Sequence, residues 1–175
     1  MNVKRFRFVC RLLSGLFKVL AALGVGMLIL GIFFTLFNET ASFSYDIGGF
    51  SLFVAQKNHI EEETFSTAAL IIAPILISLF IYILLKGSSI FDQLTEGHSP
   101  FNSEFTHTIK KISLILIIPD LIMPLLYSLI VTLLTDGYYL NVAVGSSFII
   151  GLILFAVAEI FNYGIELQEL SDDTI

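Results

Sequence analysis

Four long apolar runs, separated by polar segments of differing character, organise the chain. Val19 to Phe37 (VLAALGVGMLILGIFFTLF) carries no charge. At about 1.5 Å of rise per helical residue it is just long enough to cross a hydrocarbon core of about 30 Å. Phe65 to Leu85, Ile112 to Leu134 and Val142 to about Tyr163 follow, the third run interrupted by Asp120 and the fourth by Glu159. The runs are continuous rather than alternating, which predicts helices; a lone sheet would leave backbone polar groups unpaired in lipid. The expected fold is an all-α integral membrane protein with four transmembrane helices in a single domain over residues 1–175, ending in a tail at 164–175 that Gly164 separates from the last span.

The polar segments predict the smaller elements. In "SFSYDIGGFSLFVA", Phe43, Tyr45 and Ile47 alternate with polar residues before Gly48-Gly49, and Phe50, Leu52 and Val54 resume the alternation. That pattern predicts a small extracellular β-hairpin between helices 1 and 2. "IEEET" then places acids at the start of the second helix, where the helix dipole favours them. Asp136-Gly137-Tyr138-Tyr139 is expected to be a short turn with its tyrosines at headgroup level. On the other side, Ile90, Phe91 and Leu94 extend the second helix amphipathically, Gly97 to Pro100 form a turn, and Pro100 suits the first turn of a restarted helix. Phe101, Phe105, Ile109 and Ile112 recur at helical spacing, so this restarted helix is expected to lie along the membrane surface before entering span three.

Composition agrees with the pattern: 56% of residues are hydrophobic, 14% charged, and the mean hydropathy is +0.90, against about 25% charged residues in a soluble domain. The net charge of -6 argues against a nucleic-acid surface, because phosphates are bound by clustered Lys and Arg. Cys10 is the one cysteine, so no intrachain disulfide forms. His59, His98 and His107 sit in polar segments without a CxxC or HExxH companion, so no metal or other cofactor is expected. Lys4, Arg5, Arg7, Arg11, Lys18, Lys86, Lys110 and Lys111 fall on one side of the four-span scheme and only Lys57 on the other, eight against one. Basic residues mark the cytoplasmic side, so both termini are expected there.

Asp120 lies eight residues beyond Ile112, about 12 Å into the membrane. A lipid-exposed central Asp costs about 2.5 to 3.5 kcal/mol on translocon scales, so it is expected to face the bundle. Pro119 and Pro124 flank it and predict a kink. A proton or cation site and a structural acid bonded to a neighbouring helix are the two readings. Glu159 is shallow enough to meet Lys18, Lys110 or Lys111 and so tie span four to the bundle. Ala22 with Gly26, and Ser147 with Gly151, have the four-residue spacing that allows close helix approach.

Two blocks, "GHSPFNSEFTHTIKKI" and "AEIFNYGIELQELSDDTI", resemble the signature regions of a bacterial family of small four-span membrane proteins, the domain of unknown function 2975 (DUF2975). The matching residues are Gly97, Pro100 and Phe101 in the first block, and Glu159, Phe161, Gly164, Leu167, Asp172 and Thr174 in the second. His98-Ser99 stand where the family often has a more basic segment. Members are often encoded beside a small helix-turn-helix repressor, so the resemblance implies a regulatory role in the bacterial cell membrane and supplies no catalytic residue. No GxSxG elbow, HExxH helix or phosphate-binding loop occurs, which argues against an enzyme. The function read from the sequence is a non-enzymatic membrane regulator or scaffold that engages a cytosolic protein through the loop around Pro100-Phe101 and the C-terminal tail. The alternative is a small oligomeric transporter, proton- or ion-linked, that uses Asp120.

Overall fold

The computed structural model describes residues 3–37, 49–57, 60–97 and 102–172. Four helices and two strands follow in the order α1 (Val3–Phe37), β1 (Gly49–Lys57), α2 (Glu62–Glu96), α3 (Ser103–Leu134), β2 (Tyr138–Gly145) and α4 (Ser146–Asp172). All four helices are long and apolar enough to cross a membrane, and each contains one of the four apolar runs. This is the architecture of a multi-pass membrane protein.

Neighbours in the chain pack antiparallel: α1 on α2, α2 on α3, α3 on α4. The start of α1, the end of α2, the start of α3 and the end of α4 therefore meet at one end of the molecule, here the basic end. Its core is built from all four helices: Cys10 of α1, Ile90 and Leu94 of α2, Phe105, Ile109 and Ile112 of α3, and Ala158 of α4. At the other end the core is narrower, with Ala68, Ala69 and Ile72 of α2 against Tyr127 and Val131 of α3, closed over by Ile60. The outward faces are largely apolar at membrane depth, as lipid contact requires; Met27, Leu133 and Ile153 are all more than half exposed.

Several expectations are corrected. β1 does pair, but its described partner is β2, from the connection between α3 and α4, with Val54 opposite Asn141 and Ala55 opposite Leu140. The first arm expected for a local hairpin, Phe43 to Ile47, lies outside the described residues. The connection read as a short turn thus holds an eight-residue strand, and α4 begins at Ser146 rather than Val142. The physical reason is alternation: "YYLNVAVG" has the burial pattern of a strand with one face inward, which an apolar count merges into the following span. Leu52 is the extra residue where the register shifts between Ser51 and Phe53, a bulge in β1.

The restarted helix does not lie apart on the membrane surface. α3 is one helix from Ser103 to Leu134, and the stripe of Phe105, Ile109 and Ile112 is buried in the basic-end core instead of in lipid. Asn102 starts it, its side-chain oxygen accepting the backbone N–H of Glu104 at 3.0 Å. α3 also runs on through both Pro119 and Pro124. Gly164 does not break α4, which continues to Asp172. A single interior glycine costs about 1 kcal/mol relative to alanine, and the good helix formers in "IELQEL" that follow offset it. Gly97, by contrast, does end a helix: it caps α2 at φ 98°, and its N–H reaches back to the carbonyls of Gln93 and Leu94.

Candidate functional site

Asp120 points across from α3 to the first turn of α4, where its Oδ2 accepts the backbone N–H of Phe148 at 2.9 Å. Phe148 is the third residue of α4, and Gly145 stands just before the helix begins. Gly145 has no side chain with which to cap the helix, and a Cβ there would come within 2.5 Å of Asp120 Oδ1. The carboxylate from α3 therefore takes the place of a local N-cap side chain, and its charge lies at the positive end of the α4 dipole. Its partner on the neighbouring helix is a backbone amide, not a side chain. Asp120 also lines an open cleft of about 330 Å³ with Leu76, Phe80, Pro119, Met123 and Ser147.

Glu159 pairs with Lys110 across the α3–α4 contact, with Lys110 Nζ donating to Glu159 Oε1 at 2.5 Å. The same ammonium sits 5.1 Å from the ring centre of Phe155. One turn further toward the basic end Phe161 packs edge-on against Phe105, ring centres 5.8 Å apart. Residues of the two family-like blocks are thus brought together along one helix pair. Leu167 is half exposed on the last turns of α4, and Gly164 is half-buried. Gly97 faces the start of α1: a Cβ on it would meet the Arg7 guanidinium at 2.9 Å, which places that cation at the negative end of α2. Asp172 is the last residue of α4. Pro100, Phe101 and Thr174 lie outside the described residues, as do His59 and His98.

Lys18 does not meet Glu159. It pairs with Asp92 of α2 at 2.8 Å, in a cluster that sequence reasoning missed. Ser14 Oγ donates to Asp92 Oδ1 at 2.6 Å and lies 3.0 Å from Ser88 Oγ, so a buried serine pair joins α1 to α2 beneath the ion pair. The one available signal was the spacing of Ser14 and Lys18, which puts two polar side chains on the same face of α1.

A third polar contact fixes β2. Ser128 and Thr132, four residues apart on α3, meet alternate residues of the strand. Ser128 Oγ accepts from the Asn141 N–H at 2.8 Å, while Thr132 Oγ1 accepts from the Tyr139 N–H at 3.0 Å and donates to its carbonyl at 2.9 Å. Hydroxyls thus satisfy strand backbone groups that β1 does not take. Tyr139 joins Phe65 and Tyr127 in an aromatic triad, at 5.2 and 6.2 Å between ring centres.

Among the described residues no group of three His, Cys, Asp or Glu side chains is placed to hold a metal ion. Compared with known families, curated proteins and solved structures, the chain matches none.

Proposed function

We propose that this chain is a non-enzymatic regulator or scaffold of the bacterial cell membrane, related to the DUF2975 proteins, with both termini in the cytoplasm and a cytosolic protein as its partner. The observation that carries the reading is the continuation of α4. The helix persists through Gly164 to Asp172 and presents Ile160, Tyr163, Leu167 and Leu170, all exposed, on one stripe at helical spacing. Glu166 and Glu169 lie exposed beside that stripe. An apolar stripe flanked by carboxylates suits a partner surface with an apolar groove rimmed by Lys or Arg. A small basic DNA-binding protein of the helix-turn-helix kind has that charge.

The test is co-purification of the detergent-solubilised chain from cells that express its neighbours. We compare the full chain, a truncation after Gly164, and the double substitution Leu167→Ser with Leu170→Ser. A cytosolic protein retained by the full chain and lost in both variants supports the reading; the same co-purifying proteins in all three overturn it.

One observation favours the transporter reading, namely that the cleft between α2 and α3 reaches Asp120. The hydrogen bond to Phe148 and the contact with Gly145 commit that carboxylate to holding α4, which weighs the proposal toward the regulator.

A further inference from the structure

Between the first turns of α3 and the last membrane-level turns of α4 lies a groove of about 500 Å³ lined mostly by polar residues, where the membrane-level faces of the same helices are apolar. Glu104, Thr106, His107 and Lys110 line it from α3, and Glu159 and Asn162 from α4, with Ala158 buried at its base. Its depth follows from the two helices. Ile112 to Pro119 on α3 carries no charge, and neither does Ser146 to Ala158 on α4. Both helices turn charged at the Lys110–Glu159 level, which is where a bilayer passes from hydrocarbon to headgroups.

We infer that this groove binds the headgroup of an aminophospholipid, a phosphodiester joined to a primary ammonium, as in phosphatidylethanolamine. The charge inventory selects that class. Two carboxylates, Glu104 and Glu159, face one ammonium, Lys110, with His107 exposed beside them. A purely anionic headgroup such as phosphatidylglycerol would bring a third negative charge against one ammonium and nothing to offset Glu104. A choline headgroup has balanced charge but no N–H to donate to the carboxylates. A primary ammonium has three, and the phosphate beside it takes Lys110 and the hydroxyls.

Thr106 gives an independent indication. It is 5% exposed, and its Oγ1 is buried without a hydrogen-bond partner among the described residues. On the same helix Thr108 satisfies its hydroxyl by donating to the carbonyl four residues earlier, at 2.9 Å. An unpartnered hydroxyl is costly to bury, and a phosphate oxygen in the groove offers it an acceptor through rotation about χ1. Acyl chains below the headgroup would continue along the exposed apolar faces of α3 and α4, where Leu114 and Leu152 are exposed.

This inference goes beyond the regulator reading and is tested without any protein partner. The full-length chain is purified in a mild detergent and stripped of lipid. Phosphatidylethanolamine, phosphatidylglycerol and phosphatidylcholine of identical acyl chains are then added, with glycerophosphoethanolamine as a chain-free arm, and bound molecules are counted by native mass spectrometry. The expected result is a preference of about tenfold for phosphatidylethanolamine, the worth of one charge-assisted hydrogen bond. Glu104→Gln, at an exposed first-turn site that leaves the Lys110–Glu159 pair intact, should reduce that preference severalfold. Equal retention of the three lipids overturns the inference, as does a preference that Glu104→Gln leaves unchanged. Binding of glycerophosphoethanolamine as tight as that of the lipid would overturn the assignment of the ligand to the membrane.

Discussion

Asp120 is held by geometry more than by charge. Its Oδ2 receives the Phe148 amide, and its Oδ1 occupies the space that a Cβ on Gly145 would need. Asp120→Asn keeps an acceptor oxygen in place and loses only the interaction of charge with the helix dipole, so the chain should lose at most about 1 kcal/mol. Asp120→Leu removes the cap and leaves the amide unpaired, and the expected loss is about 1 to 3 kcal/mol. Gly145→Ala should cost a similar amount by driving the carboxylate away, and much less in an Asp120→Ala background, because the two changes act on the same contact. Thermal unfolding of these variants in one detergent, with Asp120→Ala alone as the reference for the double substitution, checks the order. A transport site behaves differently: a pH-dependent flux in reconstituted vesicles, abolished by Asp120→Asn with no change in melting temperature, would replace the regulator proposal with the transporter.

At the scale of elements, close helix approach discriminates between glycines that look alike in sequence. Gly151 packs on α3 so tightly that a Cβ would lie 2.9 Å from the Ser113 carbonyl and 2.7 Å from Ile117. A Cβ on Gly26 meets nothing within 4 Å. Gly151→Ala should therefore lower the melting temperature clearly while Gly26→Ala leaves it unchanged or raises it, since alanine is the better helix former. The small pair Ala22 and Gly26 on α1 is thus not the packed one; Ala21 is buried, and Gly24 lies against Ile81. Spacing alone does not say which face of a helix turns inward when both faces are apolar, and that is why this part was not legible. The four helices were, because length and continuous hydropathy are local properties. So was a basic partner for Glu159, since it occurs where its helix turns charged, but Lys18, Lys110 and Lys111 were equally eligible and packing alone selects Lys110. The pairing of β1 with β2 was not, because it joins residues about 90 positions apart and two-residue hairpin signals report only local partners. It can be tested directly. Ala55→Cys with Leu140→Cys in a Cys10→Ser background places two thiols on directly opposed residues, and oxidation should close a disulfide within the chain; a Phe43→Cys, Val54→Cys pair that crosslinks more readily would restore the local hairpin.

For the whole molecule, the asymmetry between its two ends has an orientation built into it. The basic end gathers the start of α1 with Lys4, Arg5, Arg7 and Arg11, the Lys18–Asp92 and Lys110–Glu159 pairs, and the extended end of α4. The opposite end carries the β1–β2 sheet and, among its described residues, Lys57 as its basic side chain. Basic residues in short connections resist translocation, so the end that holds eight of the nine should stay in the cytoplasm and the sheet should be carried across. The partner surface proposed on α4 depends on this, since a cytosolic protein reaches only that face. In a Cys10→Ser background, a cysteine replacing Leu52, which is 66% exposed on β1, should react in intact cells with a reagent that does not cross membranes. One replacing Ser171, near the end of α4, should react only after the cells are opened. The reverse pattern would put the end of α4 outside the cell and remove the cytosolic partner from consideration. The aminophospholipid groove would survive that outcome, moved to the other leaflet, because its selectivity rests on the groove's own charges.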